Sequence, residues 1–169
     1  TLGPSGKGVV TLLQNYFLIL VVVFVLGMSE GNIYFLSNRQ YKHKEIFANV
    51  LFHTAIIAGL IIVLSVLLKL WIISSFLKNI SGRYYDIALW IFPTFFLFLH
   101  TTTMLLGHRD ILAFNAVTVT RYLMILMFMI LLIPRAGIAG ALVATAAGFL
   151  LADILAVILL GRHGAPPLG

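Results

Sequence analysis

The stretch TVTRYLMILMFMILLI, Thr118 to Ile133, poses the question that decides the fold. Thirteen of its sixteen residues are apolar or tyrosine, yet a fixed positive charge, Arg121, sits near its start. In a water-soluble core a guanidinium needs a partner, and in a bilayer it is costly wherever it faces lipid. The rest of the chain tells which environment applies.

The 169 residues are 62% hydrophobic and only 9% charged, with a mean hydropathy of +1.11. A soluble domain carries about 25% charged and 45–50% apolar residues. A single core of this size cannot hide the excess, because a domain of roughly 150 residues leaves much of its surface in water. The composition therefore indicates an integral membrane protein. Cysteine is absent, which excludes a disulfide framework and a thiolate metal site. The formal charge of +6 suits loops lying against anionic membrane lipids. No basic stripe carries interleaved aromatics, so nucleic acid is not an expected partner. The first residue is Thr1 and no signal-peptide pattern precedes the first apolar run, so the chain reads as a piece of a longer one that starts inside a loop.

A membrane-crossing helix needs about 20 mainly apolar residues, and five segments qualify. They run from about Val9 to Gly27 with a continuation through Ser29–Leu36, from Ile46 to Leu68 with a tail to Leu77, then Tyr85–Leu106, Ile111–Ile133 and Gly137–Leu160. The runs are continuous and do not alternate, which argues against a β-barrel. The predicted fold class is an all-α integral membrane bundle of five transmembrane helices. Its connections are short, so consecutive helices are expected as antiparallel neighbours. Trp71, Tyr84 and Tyr85 stand where an interfacial aromatic belt belongs. Pro93 predicts a kink in the third helix. In GIAGALVATAAG, Gly137, Gly140, Ala141, Ala144 and Gly148 give small residues at spacing four, a face for close helix packing. Basic residues divide almost evenly between the two sides, and the denser cluster in Asn38–Glu45 leans that loop toward the cytoplasm.

Each span holds one ionisable residue: Glu30, His53, His100, Arg121 and Asp153. Glu30 is nine residues before Arg39, His53 nine after Lys44, His100 nine before Arg109 and Asp153 nine before Arg162. Arg121 is twelve after Arg109. At 1.5 Å per residue these depths are roughly 13–18 Å, near the middle of a core about 30 Å thick. Buried ionisable groups in membranes usually face the bundle interior or a wet cavity. Arg121 and Asp153 fall at similar depths on adjacent helices, so an ion pair between them is expected. Asn115, Thr118, Arg121 and Tyr122 share one helical face, which predicts a polar stripe entering from one surface and ending near mid-depth. The competing reading is a structural Arg–Asp pair that locks two helices. For either histidine the competing reading is a plain interhelical hydrogen bond, and for Glu30 it is a helix break in GMSEGN.

Several apparent motifs carry no chemistry. GPSGKG, Gly3 to Gly8, lacks the spacing, hydroxyl and preceding strand of a phosphate-binding loop. His53, His100 and Glu30 lack metal-ligand spacing, no Ser–His–Asp grouping is legible, and Asn79-Ile80-Ser81 is a glycosylation sequon by letter only. No cofactor and no enzymatic activity are expected.

LGPSGKGVVTLLQNYF followed by LGMSEGNIYFLSNR resembles the first-to-second-helix region of oligosaccharide flippases, in the multidrug/oligosaccharidyl-lipid/polysaccharide exporter superfamily. Gly3, Pro4, Gly6 and Gly8 match the opening of that pattern, and Gly27 and Tyr34 its close. GHRDILAFN resembles the family's short loop and fifth helix, with Arg109 and Asn115 at the recurrent positions, and GIAGALVAT resembles the start of the sixth. Glu30 departs from the pattern. The resemblance implies that the five helices are the second to sixth of a twelve- to fourteen-helix inverted-V transporter, whose second half belongs to the same chain. It implies a bacterial inner-membrane flippase that moves a lipid-linked oligosaccharide among membrane lipids by alternating access. A central cavity would then hold Arg121 on the diphosphate, Asp153 orienting it, and His53, His100, Asn115, Thr118 and Glu30 around the substrate. The alternatives are a multidrug antiporter of the same superfamily with Asp153 or Glu30 as coupling carboxylate, a membrane-embedded glycan enzyme, and an assembly subunit.

Overall fold

The computed structural model describes residues 2–25, 27–38, 42–78 and 80–163, apart from the side chains of His43 and His163, and every regular element among them is a helix. Arg39 of the basic loop and Asn79 of the sequon lie outside the described residues. The elements are α1 (Gly3–Phe24), α2 (Met28–Ser37), α3 (His43–Leu67), α4 (Lys69–Ser75), α5 (Gly82–Ala88), α6 (Ile91–Gly107) and α7 (Ile111–His163). Four helices are long and apolar enough to cross a membrane: Gly3–Phe24, Lys44–Leu67, Gly82–Gly107 and Ile111–Arg162. The described chain is thus an all-α fold of membrane type.

The apolar runs are cut where the backbone demands it. GPSGKG forms the opening turns of α1, with Pro4 in the first turn, where its missing N–H costs nothing. Gly27 adopts a left-handed φ of 72° and separates α1 from α2, so the first apolar run is two helices. α5 and α6 are parted at Leu89 and Trp90. The cause is Pro93, which offers no N–H to the Leu89 carbonyl four residues back and whose ring clashes with it. Arg109, at φ 60°, turns the chain from α6 into α7, and Asp110 Oδ1 accepts from the Ala113 amide at 2.9 Å to cap the new helix.

α7 is 53 residues long but is not one rod. Gly137 has φ 55° and ψ −127°, a conformation outside the helix and disfavoured for residues with a Cβ. A Cβ built on Gly140 would collide with the Leu132 carbonyl, and one on Gly148 with the Ile125 side chain, at 3.0 Å from the Ile125 amide nitrogen. In a straight helix Ile125 and Gly148 would stand roughly 34 Å apart. The chain therefore reverses at Gly137, and its two arms, residues 111–136 and 138–163, lie backbone to backbone over the small residues.

α6 is the centre of the bundle, packed against α1, α2, α3 and α7. Its Phe92, Phe96, Met104 and Leu105 are fully buried, and Gly107 lets α2 approach so closely that a Cβ there would lie 2.9 Å from Leu36 Cβ. Tyr85 departs from the interfacial role expected of it. It is wholly buried beside Tyr16 and Phe17 and donates to the Ser65 carbonyl at 3.3 Å. The α5 helix faces the core at that level, so the ring packs inward, whereas Trp71 stays exposed. Lys69 pairs with Asp86 at 2.7 Å between partly exposed side chains. Large apolar residues such as Leu70, Leu112 and Ile130 cover the outside, as a lipid-facing surface requires.

If the arms of α7 touch in this way, Gly148→Val lowers the unfolding free energy by about 1–3 kcal/mol through overpacking. Gly59→Ala, with open space around it, changes it by less than about 1 kcal/mol. Thermal unfolding in detergent micelles separates the two. Equal effects contradict the close approach.

Candidate functional site

The polar residues singled out by depth divide into two groups and two outliers. The first group centres on α6. His100 is fully buried, and its ring lies 5.7 Å from that of His53 on α3, edge on, with Phe96 at 4.7 Å from His100 and 5.9 Å from His53. Neither nitrogen of His100 has a hydrogen-bond partner, nor has His53 Nε2. Thr101, the next residue, donates through Oγ1 to Asp153 Oδ1 at 3.4 Å, a long bond whose single proton is shared with the Phe98 carbonyl oxygen, 3.2 Å from Oγ1. Asp153 is 2% exposed and its Oδ2 has no partner.

The second group centres on Arg121. The guanidinium carbon sits 4.1 Å from the Tyr122 ring centre, 4.6 Å from Phe98 and 5.2 Å from Phe149. Its Nε is buried without a partner. A cleft of about 290 Å³ opens beside it, lined by Gln14 and Asn15 of α1, Phe95 of α6, and Tyr122, Thr145 and Phe149 of α7. Gln14 Nε2 donates to Thr145 Oγ1 at 3.0 Å, and Thr145 donates in turn to the Ala141 carbonyl at 2.9 Å. These bonds hold an amide and a hydroxyl at the mouth of the cleft. Three aromatic faces attract the cation, each worth about 0.5–2 kcal/mol.

The expected Arg121–Asp153 ion pair does not form. The two residues stand at similar levels of the α7 hairpin, but helix phase separates them. Gly148 faces the first arm, and Asp153, five residues on, points about 140° away from it at 100° per residue. Asp153 thus meets Thr101 of α6, while Arg121 meets aromatic rings. The inward polar stripe also needs correction. Thr118 is half-buried, but Asn115 is exposed and Tyr122, whose ring packs on the Arg121 guanidinium, is 61% exposed. Glu30 is exposed in the first turn of α2, so it does not join the buried layer. Gly27 starts a new helix there, which resets the phase of the segment.

Gln14, Asn15 and Thr145 were absent from the depth count because it considered ionisable groups alone. The signal was available: Gln14 and Asn15 are the only amides within the 22-residue run of α1 and fall in its middle. Among the described residues, no three His, Asp or Glu side chains converge as a metal site requires. No family model, curated protein or solved structure matches the chain.

The Gln14–Thr145 bond predicts a measurable coupling. In a double-mutant cycle with Gln14→Leu and Thr145→Val, unfolding should give an interaction energy of about 0.5–1.5 kcal/mol. Strict additivity contradicts the bond.

Proposed function

We propose that the chain belongs to a transporter that moves a lipid-linked oligosaccharide across a bacterial inner membrane by alternating access. The observation that carries this reading is the isolation of Arg121. A guanidinium near mid-membrane depth has no carboxylate partner, is steadied by three rings, and lines a cleft that also presents amides and a hydroxyl. A lock between two helices would have used a carboxylate, and the nearest candidate, Asp153, faces elsewhere. A cation kept for an outside partner fits a polyprenyl-diphosphate headgroup. Its planar fork would give paired, charge-assisted bonds to phosphate oxygens. Gln14, Asn15 and Thr145 would bind neighbouring sugar hydroxyls. A space of about 290 Å³ suits a diphosphate or one sugar ring, so the rest of the glycan would extend beyond it.

In this reading the two arms of α7 are separate crossings, which makes five in all. They correspond to the second to sixth helices of the flippase pattern that the GPSGKG and GHRDILAFN segments resemble. Transporters of this kind bind at the interface of two helical bundles near the midplane and rock around that site. His53 and His100, edge to face, with His53 Nε2 and both His100 nitrogens lacking a hydrogen-bond partner, would supply proton-linked contacts as the bundle changes shape. The protein would act as a carrier, with no bond made or broken in the substrate.

The test is transport of a polyprenyl-diphosphate-linked oligosaccharide by the full protein in proteoliposomes. Arg121→Ala should lower the rate at least tenfold with unchanged membrane insertion, and Arg121→Lys should retain part of it, since charge remains without the fork. Undiminished transport by the alanine variant overturns the assignment.

A further inference from the structure

A second cleft, on the other side of the hairpin, has chemistry of a different kind. It lies between α3, α6 and the second arm of α7, encloses about 710 Å³, and shares no lining residue with the Arg121 cleft. Its walls are apolar, from residues such as Leu51, Trp90, Leu97 and Leu150, and its buried polar groups are Thr54 and Asp153. Both carry an atom without a partner, Thr54 Oγ1 and Asp153 Oδ2. We infer that this cleft is a binding site for a lipophilic organic ammonium ion, with Asp153 as the anionic contact.

The class of ligand follows from complementarity. The volume is that of a small-molecule site, for which about 300–1,000 Å³ is usual. A ligand filling such walls must have an apolar body, because buried sugar hydroxyls would go unsatisfied there. Once the body excludes water, the carboxylate needs a positive group at its free oxygen, and nothing among the described residues supplies one. Arg121 is turned to the opposite cleft, and Thr101 meets only the other carboxylate oxygen, at 3.4 Å. An ammonium N–H would make the charge-assisted bond to Oδ2, and the Thr54 hydroxyl oxygen would accept a second. The indole of Trp90, 67% exposed, adds a flat apolar wall. An anion would instead meet the carboxylate. The ammonium of a phospholipid is excluded by depth: Asp153 lies nine residues from Arg162, about 13 Å along the helix, whereas lipid headgroups stay at the interface. A free amine with an apolar body reaches that level. The site rests on Asp153 and Thr54 alone and stands independently of the glycan reading.

The experiment titrates the purified full protein with a dansyl-labelled primary hexylamine and with its N-acetylated, uncharged counterpart, followed by dansyl fluorescence. The wild type should bind the amine at least tenfold more tightly than the acetylated compound. Asp153→Asn should erase that preference while leaving the weaker binding of the neutral compound. Ala147→Trp, which fills the cleft without touching the carboxylate, should remove binding of both. Equal affinity of the wild type for the two compounds, a preference that survives Asp153→Asn, or undiminished binding by Ala147→Trp overturns the proposal.

Discussion

The arrangement of charge in this bundle depends on one contact, the backbone-to-backbone approach of the two arms of α7. Gly140 and Gly148 leave no side chain between the arms, so the hairpin closes on the Leu132 carbonyl and the Ile125 backbone. Within a membrane helices gain little from burying apolar groups against each other, and close packing of small residues is a main source of association. With the arms set so tightly, helix phase is fixed for every residue along them. Arg121 is one turn from Ile125 and stays beside the contact. Phe149, next to Gly148, is brought over its guanidinium. Asp153 is rotated to the far side, toward α6.

That rotation leaves two opposite charges at one depth, each short of partners. An arginine at the centre of a membrane helix costs about 2.5–3.5 kcal/mol on insertion scales and more in simulations. Three aromatic faces offset an amount of the same order, but they do nothing for the Nε–H, which needs an acceptor. The carboxylate is worse served, with a single long bond from a shared hydroxyl. Had the two met, their pairing would have been a structural lock. Kept apart, each faces its own cleft, one that presents amides and hydroxyls among apolar side chains and the other almost wholly apolar. The difference in lining is why we propose different ligands for them.

Much of this was legible in the letters because lipid imposes simple rules. The long apolar runs had to be helices, and the small residues of GIAGALVATAAG marked the close face of the hairpin. Pro93 broke its helix where its ring meets the Leu89 carbonyl, and Gly27 split the first run by turning left-handed. Depth, counted from the loops, brought His53 and His100 to the same level, and the structure sets their rings edge to face. Depth along a helix does not give direction around it, and there the reading failed: Asn115 is exposed, and Arg121 and Asp153 diverge. The phase needed was in the sequence, since Gly148 identifies the packed face, but it could be used only once the hairpin partner was known. Gln14 and Asn15 went unnoticed because neutral amides carry no charge to flag them, although an amide in mid-membrane needs a partner as surely as a charge does.

The account's central claim is that Arg121 borders a watery cleft at mid-depth. Single cysteines at Asn15, which lines that cleft, and at Ile19, which stands 63% exposed one turn further along the same helix and does not line it, test it most directly in this cysteine-free chain. A charged, membrane-impermeant thiol reagent reacts only with a thiolate in water. The account predicts labelling at Asn15 and none at Ile19. Absence of labelling at both positions, in membranes where a loop cysteine reacts fully, would mean that the cleft is dry, and it would contradict the claim.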